Sequence, residues 1–163
     1  MIPIKVLVPS GVLGLGFDLE ALNNGVKNNP DIISIDGGST DSGPYSLGSG
    51  TSKYSRAAIK AEWKSLMIAR KKANVPLVIG SCGTCGTNGM VDWMENITIE
   101  LADELNQNIK IAKLYCQQEK NFIKKNLQLR KIFPLNPAPM LNDQLIEEMT
   151  NIDALAGAEQ IKE

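Results

Sequence analysis

The sequence contains no histidine and almost no net charge, and these absences exclude several classes of protein. Without histidine the chain cannot form a Ser-His-Asp or Cys-His nucleophile, or a zinc site that needs imidazole. The net charge of -1 provides no basic surface, which argues against nucleic acid as a partner. No apolar run approaches the roughly 20 residues that span a bilayer.

Export signals and abundant cysteine are lacking as well. The N-terminus has neither a charged leader nor a long apolar region, so we expect a cytoplasmic protein without a membrane partner. The three cysteines are an odd number, which disfavours a disulfide framework and predicts reduced thiols. The 163 residues suit a single domain, or the N-terminal part or a split subunit of a longer protein.

What the sequence does contain is an alternation of strand-like and helix-like segments. Four apolar runs predict strands buried on both faces of a sheet: Ile4–Pro9, Ile32–Ile35, Pro76–Gly80 and Ile109–Tyr115. Amphipathic patterns predict helices over Asp18–Lys27, after an N-cap at Ser55, over Val91–Leu105, over Gln117–Leu129 and over Gln144–Leu155. The βαβαβαβα order predicts an α/β fold with an open, mainly parallel sheet, in a Rossmann-like or flavodoxin-like strand order.

Polar, glycine-rich segments follow the first three predicted strands. They are Ser10–Asp18, Asp36–Arg56 and Ser81–Gly89, and in a parallel sheet all of them lie at the C-terminal edge, where ligands of such sheets bind. Backbone N–H groups around their glycines, Gly37 and Gly86 included, could hold an anion. The predicted substrate-binding set is Ser10, Gly11, Gly14, Gly38, Ser39, Thr40, Arg56, Ser81 and Gly83. Gly11, Gly14 and Gly16 do not fit the dinucleotide spacing G-x-G-x-x-G, which argues against NAD.

Asp36 and Asp41 are the candidate catalytic residues. Carboxylates at the end of a strand can act as general bases, hold a cation or bond ribose hydroxyls. They can equally serve only as caps of turns, as aspartate often does. Arg56, at the start of a predicted helix, could bind a carboxylate or phosphate, or could simply be solvated.

The three cysteines, Cys82, Cys85 and Cys116, all follow predicted strands on the same edge. If the third and fourth strands are neighbours, as in a flavodoxin-like order, the thiols converge and could hold a [4Fe-4S] cluster with one open iron. An open iron is a Lewis acid of the kind that iron–sulfur hydro-lyases use. The alternatives are a redox pair formed by Cys82 and Cys85, or cysteines that only fill space.

The stretch DGGSTDSGPYSLGSG followed by SR resembles the N-terminal region of the acyclic terpene utilisation protein A family. The matching residues are Asp36, Gly38, Ser39, Thr40, Asp41, Gly43, Pro44, Leu47, Gly48, Ser55 and Arg56, with further matches at PSGVLGLGF, QEK and NPAPML. The resemblance implies a cytoplasmic α/β protein of bacterial catabolism, linked to acyl-CoA or branched-acid pathways and paired with a small partner domain. Members are usually longer than this chain.

Two functions remain open from the sequence. The first is a lyase, a hydratase or dehydratase of a small hydroxy acid or its CoA thioester. In it Asp36 or Asp41 would move protons, Arg56 would bind the acid and the cysteines would hold any cluster. The second is a non-catalytic acyl-CoA or nucleotide-binding subunit of a larger complex. In both cases we expect a further domain or subunit and an oligomer, because an exposed sheet edge needs cover.

Overall fold

The structure is a computed structural model, and it describes residues 3–38 and 44–162. Its strands are β1 (Val6–Leu7), β2 (Ile32–Asp36) and β3 (Leu77–Gly80). Its helices are α1 (Leu19–Lys27), α2 (Tyr45–Ser49), α3 (Arg56–Ala73), α4 (Asn88–Glu104), α5 (Lys120–Gln128), α6 (Asp143–Glu148) and α7 (Glu159–Lys162), with a short 3₁₀ turn at Cys82–Thr84. Within these ranges no helix is both long and apolar enough to cross a membrane.

The three strands form a parallel sheet in the order β1-β2-β3, which confirms the predicted α/β class. Val6 pairs with Ile32, and Asp36 at the end of β2 pairs with Gly80 at the end of β3. A flavodoxin-like order would place β1 between the other two strands. Here β2 is central, so this alternative is wrong for these strands.

The core lies on one face of the sheet. Ile33 and Ile35, on one face of β2, are buried under helices α1, α3 and α4. The helices contribute Leu22 and Val26, then Ile59, Trp63, Leu66, Met67 and Ala69, then Met94, Ile97, Leu101 and Ala102. Helix α3 lies between the other two and contacts both, which places all three on the same side.

The helix boundaries follow from their caps. Ser55 accepts a hydrogen bond from the Ala58 N–H at the start of α3, as predicted, and Asn142 caps α6 in the same way through Leu145. Thr87 caps α4 by accepting from the Met90 N–H, so this helix begins before the predicted Val91. Helices α5 and α6 are shorter than the patterns predict.

The prediction that the strands are buried on both faces is wrong for β1. Leu7 packs against the core beside Gly25 of α1, whereas Val6 and Val8, which point the opposite way, are 55% and 58% exposed. The face of the sheet opposite the three helices is thus open at β1. We call this surface, defined by Val6 and Val8, the open face.

The predicted fourth strand, Ile109–Tyr115, is not part of the sheet. Only Ile109 of this segment packs on the core, and Ile111 is 41% exposed. Lys113 instead makes ion pairs with Asp92 and Glu95 on α4, at 3.0 and 2.7 Å. A lysine in this apolar run must reach water or a carboxylate. The segment is therefore held by side-chain contacts with α4 instead of by strand pairing.

Candidate functional site

The loops that follow the three strands meet at the C-terminal edge of the sheet. The Leu13 N–H donates to the Asp36 carbonyl at 2.8 Å and so joins the first loop to β2. The Gly37 N–H donates to the Gly80 carbonyl at 2.6 Å, and the Thr84 N–H donates to the Gly37 carbonyl at 3.2 Å. Backbone hydrogen bonds therefore hold all three loops at one place.

The closest approach at this edge is between Gly38 and Thr84. A Cβ atom at Gly38 would overlap the Cα atom of Thr84, so only glycine fits there. Thr84 is 2% exposed, and its hydroxyl accepts a hydrogen bond from the Lys53 N–H at 3.0 Å. The second and third loops are thus interlocked through Thr84, which the sequence did not single out.

The loop after β3 has a strained backbone. Ser81 and Thr84 have positive φ values of 50° and 77°, and Gly83 between them has 59°. A positive φ is unfavourable for a residue with a side chain, most of all for a β-branched threonine, and costs of order 1–3 kcal/mol. The other described non-glycine residues with a positive φ, Asn29, Asn74, Asn106 and Arg130, lie at the C-terminal ends of helices, where such a conformation is common. The β-branched Thr84 is at the sheet edge, and residues held in this way cluster at functional sites.

Asp36 is exposed at the end of β2. Its Oδ1 atom accepts a hydrogen bond from the Gly38 N–H at 3.0 Å, which is the turn-capping role anticipated as the alternative. Its Oδ2 atom makes no hydrogen bond within the described part of the chain. Asp36 therefore caps its turn with one oxygen and keeps the other available to a ligand.

The glycines of the first loop already hold an anion, the side chain of Glu62 on α3. The Gly14 N–H donates to Glu62 Oε2 at 2.7 Å, and the Gly16 N–H donates to Glu62 Oε1 at 2.8 Å. Gly14 and Gly16 have φ values of 107° and 82°, a geometry that glycine adopts readily. The predicted anion-binding N–H of Gly14 is therefore occupied within the chain.

At the start of the same loop, the Ser10 hydroxyl accepts from the Val12 N–H and donates to the Val12 carbonyl. This local turn uses the hydroxyl that was predicted to bind substrate. Gly11 is exposed, and no side chain lies within 4 Å of the position that a Cβ would take there.

Arg56 is paired within the protein. Its Nη2 atom donates to Glu100 Oε2 on α4 at 2.7 Å. Lys60 binds Glu100 and Glu104, and Lys64 binds Glu104 at 2.9 Å, so the pairs form a continuous network between α3 and α4. Hydrogen bonds from Lys60 hold the pKa values of Glu100 and Glu104 below their usual range. Arg56 thus joins two helices, where the sequence predicted an anion-binding residue.

All three cysteines are free thiols, with Cys82 and Cys85 in the loop after β3 and Cys116 after a segment that is not a strand of the sheet. Burial raises the pKa of Cys82 to about 11, so at neutral pH this residue is a thiol in the absence of a metal. Cys85 Sγ lies 3.6 Å from Thr87 Oγ1 as a hydrogen-bond donor. Over residues 3–38 and 44–162 no group of three or more His, Cys, Asp or Glu side chains is arranged to hold a metal. In this conformation the three thiols are not placed to bind one cluster. The iron–sulfur cluster therefore stays a prediction.

Three of the predicted site residues, Ser39, Thr40 and Asp41, lie outside the described residues. Gly86, at the end of the 3₁₀ turn, donates its N–H to the Cys82 carbonyl at 2.9 Å.

A set of polar residues at the same edge was missed by the sequence analysis. Gln117 accepts a hydrogen bond from the Asn88 N–H at 3.4 Å and donates one to Asn151 at 3.4 Å. The Asn151 side chain in turn donates to the Leu47 carbonyl at 2.7 Å. Asp153 lies opposite Gln117 in an isolated antiparallel bridge. These residues are far apart in the chain, so no spacing in the sequence indicates their contact.

A cavity of about 270 Å³ lies at the other edge of the sheet. It is lined by Lys5, Val6, Leu7, Gly25, Asn28 and Pro30. Because these residues surround the start of β1 and the connection into β2, the cavity is separate from the site at the strand ends.

Comparison with protein-family models, with curated proteins and with solved structures finds no significant match for this chain. The resemblance to the acyclic terpene utilisation protein A family therefore stays a prediction that rests on the sequence alone.

Proposed function

We propose that the chain binds a small hydroxy acid or its CoA thioester at the C-terminal edge of the sheet, as part of a catabolic, cytoplasmic hydratase or dehydratase. The observation that carries this proposal is the strained, interlocked loop pair at Gly38, Ser81 and Thr84, which holds Asp36 at the edge. Strain of this kind is maintained where a site needs a fixed geometry.

In the dehydration direction, Asp36 Oδ2 takes the proton from the carbon next to the acyl carbonyl. The electron pair left on that carbon forms the C=C bond as the C–O bond to the hydroxyl breaks. The departing hydroxide needs a proton from a second acid to leave as water, and Asp41 is the residue that the sequence offers for this step. The scheme has no step through iron, because no group of three or more Cys, Asp or Glu side chains in residues 3–38 and 44–162 is arranged to hold a metal.

A second candidate function is a binding subunit without catalysis of its own. It is favoured by the internal use of the predicted anion-binding groups, since Arg56 is paired with Glu100 and the Gly14 N–H with Glu62. In this alternative the chain holds an acyl-CoA or a nucleotide for another subunit.

The open face supports the proposal of a further domain or subunit. Parallel sheets are normally covered on both faces, and Val6 and Val8 are more than half exposed. Cover from another polypeptide would remove this apolar surface from water.

The proposal is tested by titrating short hydroxy acids and their CoA thioesters in a calorimeter and by following formation or loss of the unsaturated product. We expect binding by the wild type and at least tenfold slower turnover in Asp36→Asn, because one general base contributes on the order of 10²–10⁴-fold. Asp103→Asn, an exposed carboxylate on α4, is the matched control. Binding without turnover in either protein would favour the binding subunit, and no binding at all would contradict both functions.

A further inference from the structure

Three buried oxygen atoms near the start of α4 lack a hydrogen-bond donor among the described residues. They are Oδ1 and Oδ2 of Asp153 and Oδ1 of Asn88. Asp153 and Asn88 are only partly buried as residues, but these three atoms are shielded from water. Nearly all buried polar atoms in native proteins are bonded. All three atoms are acceptors, so the set is complementary to a positively charged or donating ligand.

The backbone brings Asp153 directly opposite Gln117. The Gln118 N–H donates to the Ile152 carbonyl at 2.7 Å, and the Ala154 N–H donates to the Cys116 carbonyl at 2.9 Å. These bonds flank the Gln117–Asp153 pair, which makes it a non-hydrogen-bonded pair of an antiparallel bridge. The Cα atoms of such pairs are about 4.5 Å apart and their side chains lie on the same face.

The side chain of Gln117 shows which way this face points. Its Oε1 atom accepts from the Asn88 N–H in the first turn of α4, and its Nε2 atom donates to Asn151. Asn151 and Asp153 are two residues apart and share one face of the extended segment. The Asp153 carboxylate therefore lies on the side that faces Asn88, at the same edge as the loops after β2 and β3.

The chemistry of these atoms selects the ligand. Carboxylate and amide oxygens are the ligands of hard divalent cations, and Mg²⁺ in particular binds through one or two carboxylates and keeps several waters. No histidine exists in the chain, which disfavours softer metals. We propose that Asp153 and Asn88, with Gln117 beside them, bind Mg²⁺ or Ca²⁺.

This proposal does not rest on the lyase function, because the binding of a cation needs no substrate. Burial alone raises the pKa of Asp153, as expected for a carboxylate without a compensating charge. A bound cation would supply that charge and would also tie the segment around Asp153 to α4.

The experiment is a thermal unfolding series on EDTA-treated protein at neutral pH. MgCl₂ and CaCl₂ are titrated separately, with NaCl at matched ionic strength as the control for screening. We expect the wild-type Tm to rise by a few degrees with either divalent salt and to keep rising with the logarithm of its concentration. Asp153→Asn loses this rise, whereas Asp103→Asn, which changes an exposed carboxylate on α4, keeps it.

In EDTA alone, Asp153→Asn should be at least as stable as the wild type, because it removes an unpaired buried charge. If that variant does not fold, Asn88→Ala decides, and its Tm must respond more weakly to the divalent salts than that of the wild type. The proposal is overturned if the wild type does not respond beyond the NaCl control, or if Asp153→Asn responds as strongly. It is also overturned if only a lower pH, and neither cation, stabilises the wild type.

Discussion

At the scale of single residues, the site depends on contacts that only one residue type can make. Gly38 approaches the Thr84 backbone so closely that any side chain would collide with it. Cys82 is partly buried and packs against the apolar core at the same edge. Both features have direct consequences in solution.

Gly38→Ala should destabilise the protein. The new methyl group overlaps the Thr84 Cα, and a backbone atom cannot move aside as a flexible side chain can, so we expect a loss of at least about 1–3 kcal/mol in urea unfolding. Gly89→Ala is the control, because its Cβ would enter open space at the start of α4. Its stability should change by less than about 1 kcal/mol. Equal losses in the two variants would contradict the close approach.

Cys82 should react slowly with alkylating reagents. With its pKa raised to about 11, roughly one molecule in a thousand carries the thiolate at pH 8. We expect mass spectrometry to find Cys82 unmodified in the folded protein when the same residue in urea-unfolded protein is fully alkylated. Rapid modification of folded Cys82 would indicate an accessible thiolate and would contradict the burial of this thiol.

At the scale of elements, the helices hold the edge loops through contacts between distant parts of the chain. Glu62 on α3 binds two N–H groups of the first loop, and the network of Arg56, Lys60 and Lys64 with Glu100 and Glu104 joins α3 to α4. Each of these contacts can be tested with one substitution.

Glu62→Gln should loosen the first loop. The carboxylate of Glu62 offers one charged oxygen to each of the Gly14 and Gly16 N–H groups, whereas the glutamine amide is neutral and has a single acceptor oxygen. We therefore expect the free energy of unfolding to fall by about 1–3 kcal/mol. The amide protons of Gly14 and Gly16 should exchange faster with solvent. Glu20→Gln, which changes an exposed residue on α1, is the control and should leave both exchange rates unaltered. Unaltered exchange rates in Glu62→Gln would contradict a role of the Glu62 hydrogen bonds in holding the first loop.

The network between α3 and α4 should weaken in acid. In the folded protein the pKa values of Glu100 and Glu104 are lowered from 4.5, chiefly by hydrogen bonds from Lys60. The ionised carboxylates therefore stabilise the fold above about pH 4.5, and this contribution is lost as the pH falls through the pKa values of the folded state. The stability difference between wild type and Lys60→Gln should therefore shrink between about pH 6 and about pH 3. For the control Lys125→Gln on α5, the stability difference from the wild type should not change with pH. A Lys60→Gln difference that is independent of pH would contradict the pairing.

Elements with local signals could be predicted from the sequence, and elements fixed by distant contacts could not. The Ser55 cap and the apolar spacing after it indicated α3, because both signals lie within the helix itself. Ile109–Tyr115 failed as a strand, and Lys113 within it instead pairs with Asp92 and Glu95 on α4. Glu62 meets Gly14 across 48 positions of the chain, a contact that no local pattern contains.

At the scale of the whole molecule, one side of the sheet carries the core and the other is open at β1. If another chain or a second copy covers the open face, a charge there should weaken association. We expect concentration-dependent association in sedimentation, reduced in Val8→Lys and retained in Ile99→Lys, which alters a comparably exposed residue on α4. A monomer at all concentrations, or equal effects of both variants, would argue against self-association through this face.

Ligand binding where the loops after β1, β2 and β3 meet is tested most directly by an amide NMR titration with short-chain hydroxyacyl-CoA thioesters. Binding there should move the resonances of Gly37, Gly38 and Gly83 and leave those of Gly25 and Asn28, beside the cavity at the opposite edge, unchanged. The reverse pattern, or no change at saturating ligand, would contradict the assignment of the site.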